Sequence, residues 1–456
     1  MGVGPRAGAI AGVALLATAV AMTPGRPPVI APVPAVAGQL LPAGLAAPPD
    51  TALCESVLHV SCYQPAQLRR AYDLDHLLRR GLDGRGRTIA VVDAFGAPDI
   101  VADLHHFDAA FGLPDPPSLT VVHPAGAPPA YTPGNPAMAV WALETTLDVE
   151  WAHVMAPGAR ILLVVTPIPE TEGVVGFPQI VSAERYVVDH HLADVISQSF
   201  GAAEPTFPSP QSIAALRSVY VAAADRDITV LAATGDTGST LRLLDGGCCF
   251  PVPVVAWPAS DPLVTAVGGT RLHLDAAGRR TGPDTVWNDG GGGASGGGRS
   301  AVFERPDYQD HLRSVVGSSR GVPDVSLSGA LSGAVDFWFT LPTATGVTGG
   351  WSLAGGTSEA TPLLAGIVAI ADQAVGHRLG LLNDRLYDIA RDDDEAIVDV
   401  TTGTNAVTLC PSACTTTAPV LLPVPGYVAT KGYDLASGLG TVDAAELVDA
   451  LRRASG

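Results

Sequence analysis

Glu144 and Asp148 lie four residues apart in the segment MAVWALETTLDVEWAHVMAPG. Read as a helix, this segment puts Val140, Leu147, Trp151 and Met155 on one apolar stripe, and both carboxylates fall on that stripe one turn apart. Burial disfavours a charged carboxylate and like charges repel, so a core-facing acidic pair must be rewarded by some use. Ser358, in GGTSEATPLLAGIVAIADQA, follows a glycine pair and opens a long apolar helix, with Pro362 in the first turn where its missing N–H is harmless. Its hydroxyl then sits near free backbone N–H groups and the positive helix end. Asp236, in LAATGDTGS, stands between Gly235 and Gly238 at the end of a strand, the edge at which open α/β sheets place ligands. Taken singly, each has an ordinary explanation: an acidic patch at a helix rim, an N-cap serine, an Asp-Gly turn.

The elements that would position these residues follow from periodicity. Short β-rich runs at 88–94, 118–123, 159–166, 194–200, 228–234 and 263–269 alternate with helical patterns near 100–112, 137–156, 179–191, 209–226 and 358–374. Continuous apolar strands between helices predict an α/β fold, a parallel sheet covered on both faces. Residues 240–350 are rich in Gly, Pro and turn signals and read as irregular loops and hairpins. The glycine run WNDGGGGASGGGRS (287–300) lacks the Lys-Ser/Thr of a phosphate-binding loop and reads as a substrate-bordering or mobile loop.

Together the three segments resemble the sedolisin family, the serine-carboxyl peptidases of subtilisin-like fold. The family pattern E-x-x-x-D matches Glu144 and Asp148, G-D-[ST]-G matches Gly235 to Gly238, and G-T-S-x-[AS]-x-P matches Gly356 to Pro362. YQPAQLRRAYDL (63–74), SQSFG (197–201), AVGGT (266–270), VPDVS (322–326) and GYDLASGLGT (432–441) agree as well, in the family's order. The resemblance implies a subtilisin-like parallel sheet in a single large catalytic domain. It also implies peptide hydrolysis with Ser358 as nucleophile, Glu144 as general base, Asp148 as its proton-sharing partner and Asp236 as oxyanion donor. A carboxylate titrates near ~4 and a histidine near ~6.5, so such a base works in acid, with an optimum at roughly pH 3–5.5. The chain has 11 histidines and none in an H-G-T-H context. Asp93 occupies the place where subtilisins carry an aspartate; without a partner histidine it reads as structural or substrate-bordering. His105, His106, His190 and His191 read as solvent-facing.

The resemblance further implies one structural calcium ion near the C-terminus, with Asp399 and Asp434 as carboxylate ligands, Val400, Thr430 and Gly432 as carbonyl donors, and water completing the shell. Thr430 stands where the family usually has glycine. The family is normally made with a long folded pro-domain. Here the expected organisation is a signal peptide over 1–22 (or to 37), a Pro/Ala-rich linker over 23–55 and the peptidase domain over 56–456, without such a pro-domain. The chain has 456 residues, a net charge of −19 and 47% hydrophobic residues, which argues against a nucleic-acid partner and for a large core. Six cysteines in an exported chain favour disulfides, with Cys54–Cys62 and Cys410–Cys414 as local pairs and Cys248 and Cys249 either bridged to each other or paired elsewhere. The expected protein is a secreted, monomeric acid endopeptidase acting on polypeptides, with no stable membrane association. Its rivals are an inactive binding protein of the same shape and an exopeptidase of tripeptidyl type.

Overall fold

Seven parallel strands and one short antiparallel strand, Thr285–Val286, form the central sheet among the described residues. Across it run Leu119–Val122, Arg160–Thr166, Thr88–Ala94, Val195–Gln198, Thr229–Ala233, Thr265–Arg271 and Val325–Ser328. The computed structural model describes residues 35–36, 45, 47–170, 175–241, 250–290, 293–392, 395–409 and 422–455. The expected signal segment, most of the linker, and Cys248, Cys249, Cys410 and Cys414 lie outside them. Cys54 and Cys62 are disulfide-bonded, as expected.

The strands alternate in the way a two-sided sheet requires. Ile89, Val91, Ile161 and Leu163 enter one core with the helices Pro136–Met155, Thr357–Val375 and Ala444–Ala454. Ala90, Val92, Leu162 and Val164 enter another with the helices Phe177–Asp189 and Ser218–Ala224. The α/β class and the six predicted strands are present, with ends within two residues of their expected positions. Strand order changes direction around Thr88–Ala94, the first of the parallel strands in chain order, which has the third, Arg160–Thr166, on one side and the fourth, Val195–Gln198, on the other. Asp93 therefore ends the strand at the switch point, where a crevice opens. No helix among the described residues is long and apolar enough to cross a membrane.

Three expectations need correction. The region 240–350 is less irregular than its composition suggests. It contributes the seventh parallel strand and, with residues to 355, a long antiparallel hairpin of Ala334–Thr343 and Gly346–Gly355, whose second strand runs into the Ser358 helix. Ala35–Val36 adds an antiparallel strand against Gly355 and Ala354. The helix expected over 209–226 is broken into Pro210–Leu216 and Ser218–Ala224 at Arg217, whose guanidinium turns to the buried Asp261 at 2.9 Å. The helix Pro136–Met155 is buried on every side from Thr145 to Met155, not along one stripe. The hairpin covers the side that periodicity would leave wet, where Glu150 accepts from the Trp338 amide at 3.2 Å, and it also meets the apolar stripe, where Trp151 Nε1 donates to the Asp336 carbonyl at 2.9 Å.

The carboxylate helix Pro136–Met155 and the serine helix Thr357–Val375 cross closely at Gly366. A Cβ there would lie 2.4 Å from Met155 Cβ and 3.2 Å from the Ala156 amide nitrogen. Gly366→Ala must push the two helices apart. We expect a loss of about 1–3 kcal/mol, as for other overpacked core sites, read as a lower melting temperature. The same shift should also lower hydrolysis per folded molecule. An unchanged melting temperature would show that the crossing yields freely.

Candidate active site

The serine helix begins at Thr357 with Gly356 as N-cap, so Ser358 lies in the first turn, whose N–H groups have no intrahelical acceptor. Ser358 is buried, 4% exposed. Asp236 leaves the end of the strand Thr229–Ala233 and is fixed on this turn. Its Oδ1 accepts from the Thr357 amide and the Thr357 hydroxyl, both at 2.8 Å, and the Gly235 amide donates to Thr357 Oγ1 at 3.0 Å. Gly356 is needed at the junction because a Cβ would stand 2.6 Å from Asp236 Oδ2. Thr357, quoted only as part of a motif, thus proves to be the clamp that ties Asp236 to the serine turn.

Glu144 and Asp148 come from the middle of the carboxylate helix and are buried at 1% and 0% exposure. Burial raises the Glu144 pKa well above the ordinary carboxyl range, and the negative charges of Asp93 and Asp236 raise it further; the Ser358 hydroxyl opposes them. Burial likewise raises Asp148, followed by the charges of Asp93 and Glu144, with the Ser199 hydroxyl opposing. Ser358 therefore approaches Glu144, and Ser199 approaches Asp148, though neither carboxylate closes a hydrogen bond of regular geometry. Contacts of this kind tighten when a substrate is bound. Ser199 also donates to the Ser358 carbonyl at 3.4 Å, so the SQSFG segment borders both halves of the site.

Asp93 belongs to the same cluster. It is 1% exposed, both its oxygens lack a hydrogen bond, and burial pushes its pKa to about 7, partly offset by the Thr145 hydroxyl. Its negative charge is one of the causes that raise Glu144 and Asp148. The signal that could have found it is the strand end at the switch point. The glycine run also meets the site. The Ala294 amide donates to the Asp236 carbonyl at 3.0 Å and the Gly296 amide to the Gly235 carbonyl at 2.7 Å. His105, His106, His190 and His191 are exposed, and among the described residues no histidine acts on Glu144 or Asp148.

The five residues expected around calcium are brought together elsewhere. Asp434 Oδ1 accepts from the amides of Ala436 and Ser437 at 2.9 Å, and its Oδ2 accepts from the Thr430 amide at 2.9 Å. The Gly432 amide donates to Asp399 Oδ2 at 2.8 Å, while Asp399 Oδ1 is buried without a partner. The Val400 carbonyl accepts from Ser437 Oγ at 3.4 Å. Among the described residues no group of three or more His, Cys, Asp or Glu is positioned to hold a metal. An ion here would thus draw most of its shell from carbonyls and water, and the orphaned Asp399 oxygen fits that donor set.

A model of the subtilase family matches residues 137–384 of the chain. Kumamolisin from Bacillus sp. (strain MN-32) is 33% identical over 399 residues, covering 86% of this chain and 64% of its own length. Sedolisin from Pseudomonas sp. (strain 101) is 27% identical over 369 residues, covering 79% of this chain and 57% of its own length. The chain thus spans less than two thirds of the length of these curated relatives. In three dimensions it is similar to Pseudomonas sedolisin, a serine-carboxyl proteinase solved with two molecules of pseudo-iodotyrostatin. The TM-score is 0.70 at 24% identity, over 87% of this chain and 100% of that one, a likeness of fold.

Proposed function

As this chain belongs to the subtilase family, in its sedolisin branch, we propose that it is a secreted serine-carboxyl endopeptidase acting in acid. The observation that carries this reading is the convergence of Ser358, Glu144 and Asp236 on one helix start, with carboxylates where a histidine base would otherwise be needed. Ser358 Oγ attacks the scissile carbonyl and its proton passes to Glu144, while Asp148 shares the charge of the pair. Asp236, as a carboxylic acid, donates to the oxyanion beside the backbone N–H groups of the helix start. Glu144 returns the proton to the leaving amine as the C–N bond breaks, and water then releases the acyl group by the same steps.

The test is hydrolysis of a denatured protein across pH 3–8. Activity requires the Glu144/Asp148 pair to have lost one proton while Asp236 keeps its own, so the optimum is expected to be acidic, roughly pH 3–5.5 from carboxyl reference values with modest upward shifts; burial of the pair moves the rising limb toward the upper end of that range. An alkaline optimum would point to a histidine base and reject the mechanism. Asp236→Asn should damage the rate less than Asp236→Ala, because an amide still donates. Export is supported by the apolar N-terminal run and by the Cys54–Cys62 disulfide, which oxidising compartments favour.

We further propose that calcium binds at Asp399 and Asp434, with the carbonyls of Val400, Thr430 and Gly432, and stabilises the fold without entering the chemistry. An ion bound only by the folded state adds stability by mass action. Chelation should lower the melting temperature, and Asp434→Ala should reproduce the chelated value. If chelation leaves the melting temperature unchanged and no metal copurifies, the assignment is wrong.

A further inference from the structure

One carboxylate beside the site has no part in the chemistry above. Glu170 follows the strand Arg160–Thr166, which lies in register against Thr88–Ala94 with Val165 opposite Asp93. The turn between them is tied down, since the Phe95 amide donates to the Thr166 carbonyl at 3.0 Å and Thr166 Oγ1 to the Ile168 carbonyl at 3.0 Å. Glu170 thus leaves the same edge of the sheet as Asp93. It is 1% exposed, and neither of its oxygens has a hydrogen-bond partner. A buried carboxyl left this way costs free energy unless something pairs with it. None of the ion pairs among the described residues reaches Asp93, Glu144, Asp148 or Glu170. Four carboxyl groups therefore gather at this edge with no cation of the described residues paired to them.

We propose that Glu170 is a specificity determinant that pairs with a cationic group of the substrate close to the scissile bond, an ammonium or guanidinium. The proposal rests on the peptidase reading of the site. Two sources carry this chemistry: a Lys or Arg side chain, and the free N-terminal ammonium of a short peptide. Burial, and then the charges of Glu144 and Asp93, hold Glu170 in its protonated form. These are the charged groups that act on it, and both are acidic. A bound cation therefore replaces a proton: the carboxyl ionises, the proton leaves to solvent, and a charge-assisted pair forms in a dry site. Each cation bound costs one proton released, so the preference must strengthen as pH rises.

The test uses the purified full chain and quenched fluorescent peptides at pH 3 and pH 6. One series carries Lys or norleucine at each of the three positions on either side of the scissile bond. A second pair is all-neutral, with a free or an acetylated N-terminus. At pH 6 the wild-type chain is expected to favour a cation over its neutral counterpart at one position by about tenfold or more in kcat/KM, as for a charge-assisted pair. The ratio should shrink toward pH 3 and should fall to near unity in Glu170→Gln. An effect in the Lys series assigns the side-chain source, and one in the free-against-acetylated pair assigns the terminal ammonium. Equal cleavage of charged and neutral peptides by the wild-type chain would overturn the proposal without any variant. So would a preference that survives Glu170→Gln or weakens as pH rises. Failure to cleave any peptide would instead refute the peptidase reading, and this inference with it.

Discussion

Ser358→Ala is expected to lower peptide hydrolysis at the acidic optimum by several orders of magnitude while leaving the fold intact. The size follows from the way nucleophile and base act as a unit. Without the Ser358 oxygen there is no covalent path, and Glu144 and Asp236 can then assist only direct attack by water. The fold should tolerate the change because the Ser358 hydroxyl only approaches Glu144, while the helix start is held by Thr357 on Asp236. Thermal unfolding of the variant should match the wild type within a few degrees. Retention of more than about a tenth of the wild-type rate would remove Ser358 from the nucleophile's role. A variant that has lost hydrolysis cannot digest itself, which makes it the form in which to measure stability.

That stability is expected to fall steeply between pH 4 and pH 8. Burial pushes Asp103 to about 6, Asp93 and Asp108 to about 7, and Glu184 and Asp372 to about 8. It also raises Glu144, Asp148, Glu150, Asp336 and Glu359 well above the ordinary range. An acid whose folded pKa is raised holds its proton more tightly in the folded state. Its contribution is complete below the unfolded value near ~4 and is lost as pH climbs through the folded values. His153 works the other way: burial lowers it to about 4, so it costs stability as pH falls from ~6.5 toward that value. Burial lowers His311 in the same sense, so two histidines stand against many carboxyls. One pKa unit is worth about 1.4 kcal/mol, so even partial expression of these shifts amounts to several kcal/mol. That corresponds to a melting temperature lower at pH 8 than at pH 4 by on the order of 10 °C. Exposed pairs such as Arg85–Asp83 favour higher pH but are individually weak. A melting temperature equal or higher at pH 8 would show that the buried carboxyls find compensation on ionising. A stability that falls as pH rises would suit the acid action proposed for the site.

The membership of the chain and the local elements were legible in its residues. The strand TIAVVDA is read to its ends because it is buried on both faces and therefore continuously apolar. Gly356, Ser358 and Pro362 announce a helix start through backbone chemistry that acts over a few residues. Glu144 and Asp148 betray themselves as acids on a buried face. Tertiary structure alone decided the rest, because the relevant partners are distant in sequence. The carboxylate helix is buried all round only because a hairpin near residue 340 closes over it, and no periodicity within the helix can report that. Val325–Ser328 is too short to announce itself and becomes a strand only by pairing with Thr265–Arg271. Thr357 gains its meaning from Asp236, 121 residues earlier. Asp93 and Glu170 are unremarkable letters until the sheet's order brings their two strands side by side and buries both acids next to Glu144. Charge and polarity are written in the sequence, but the cost of burying them, and therefore their pKa and their use, is set by what the fold packs around them.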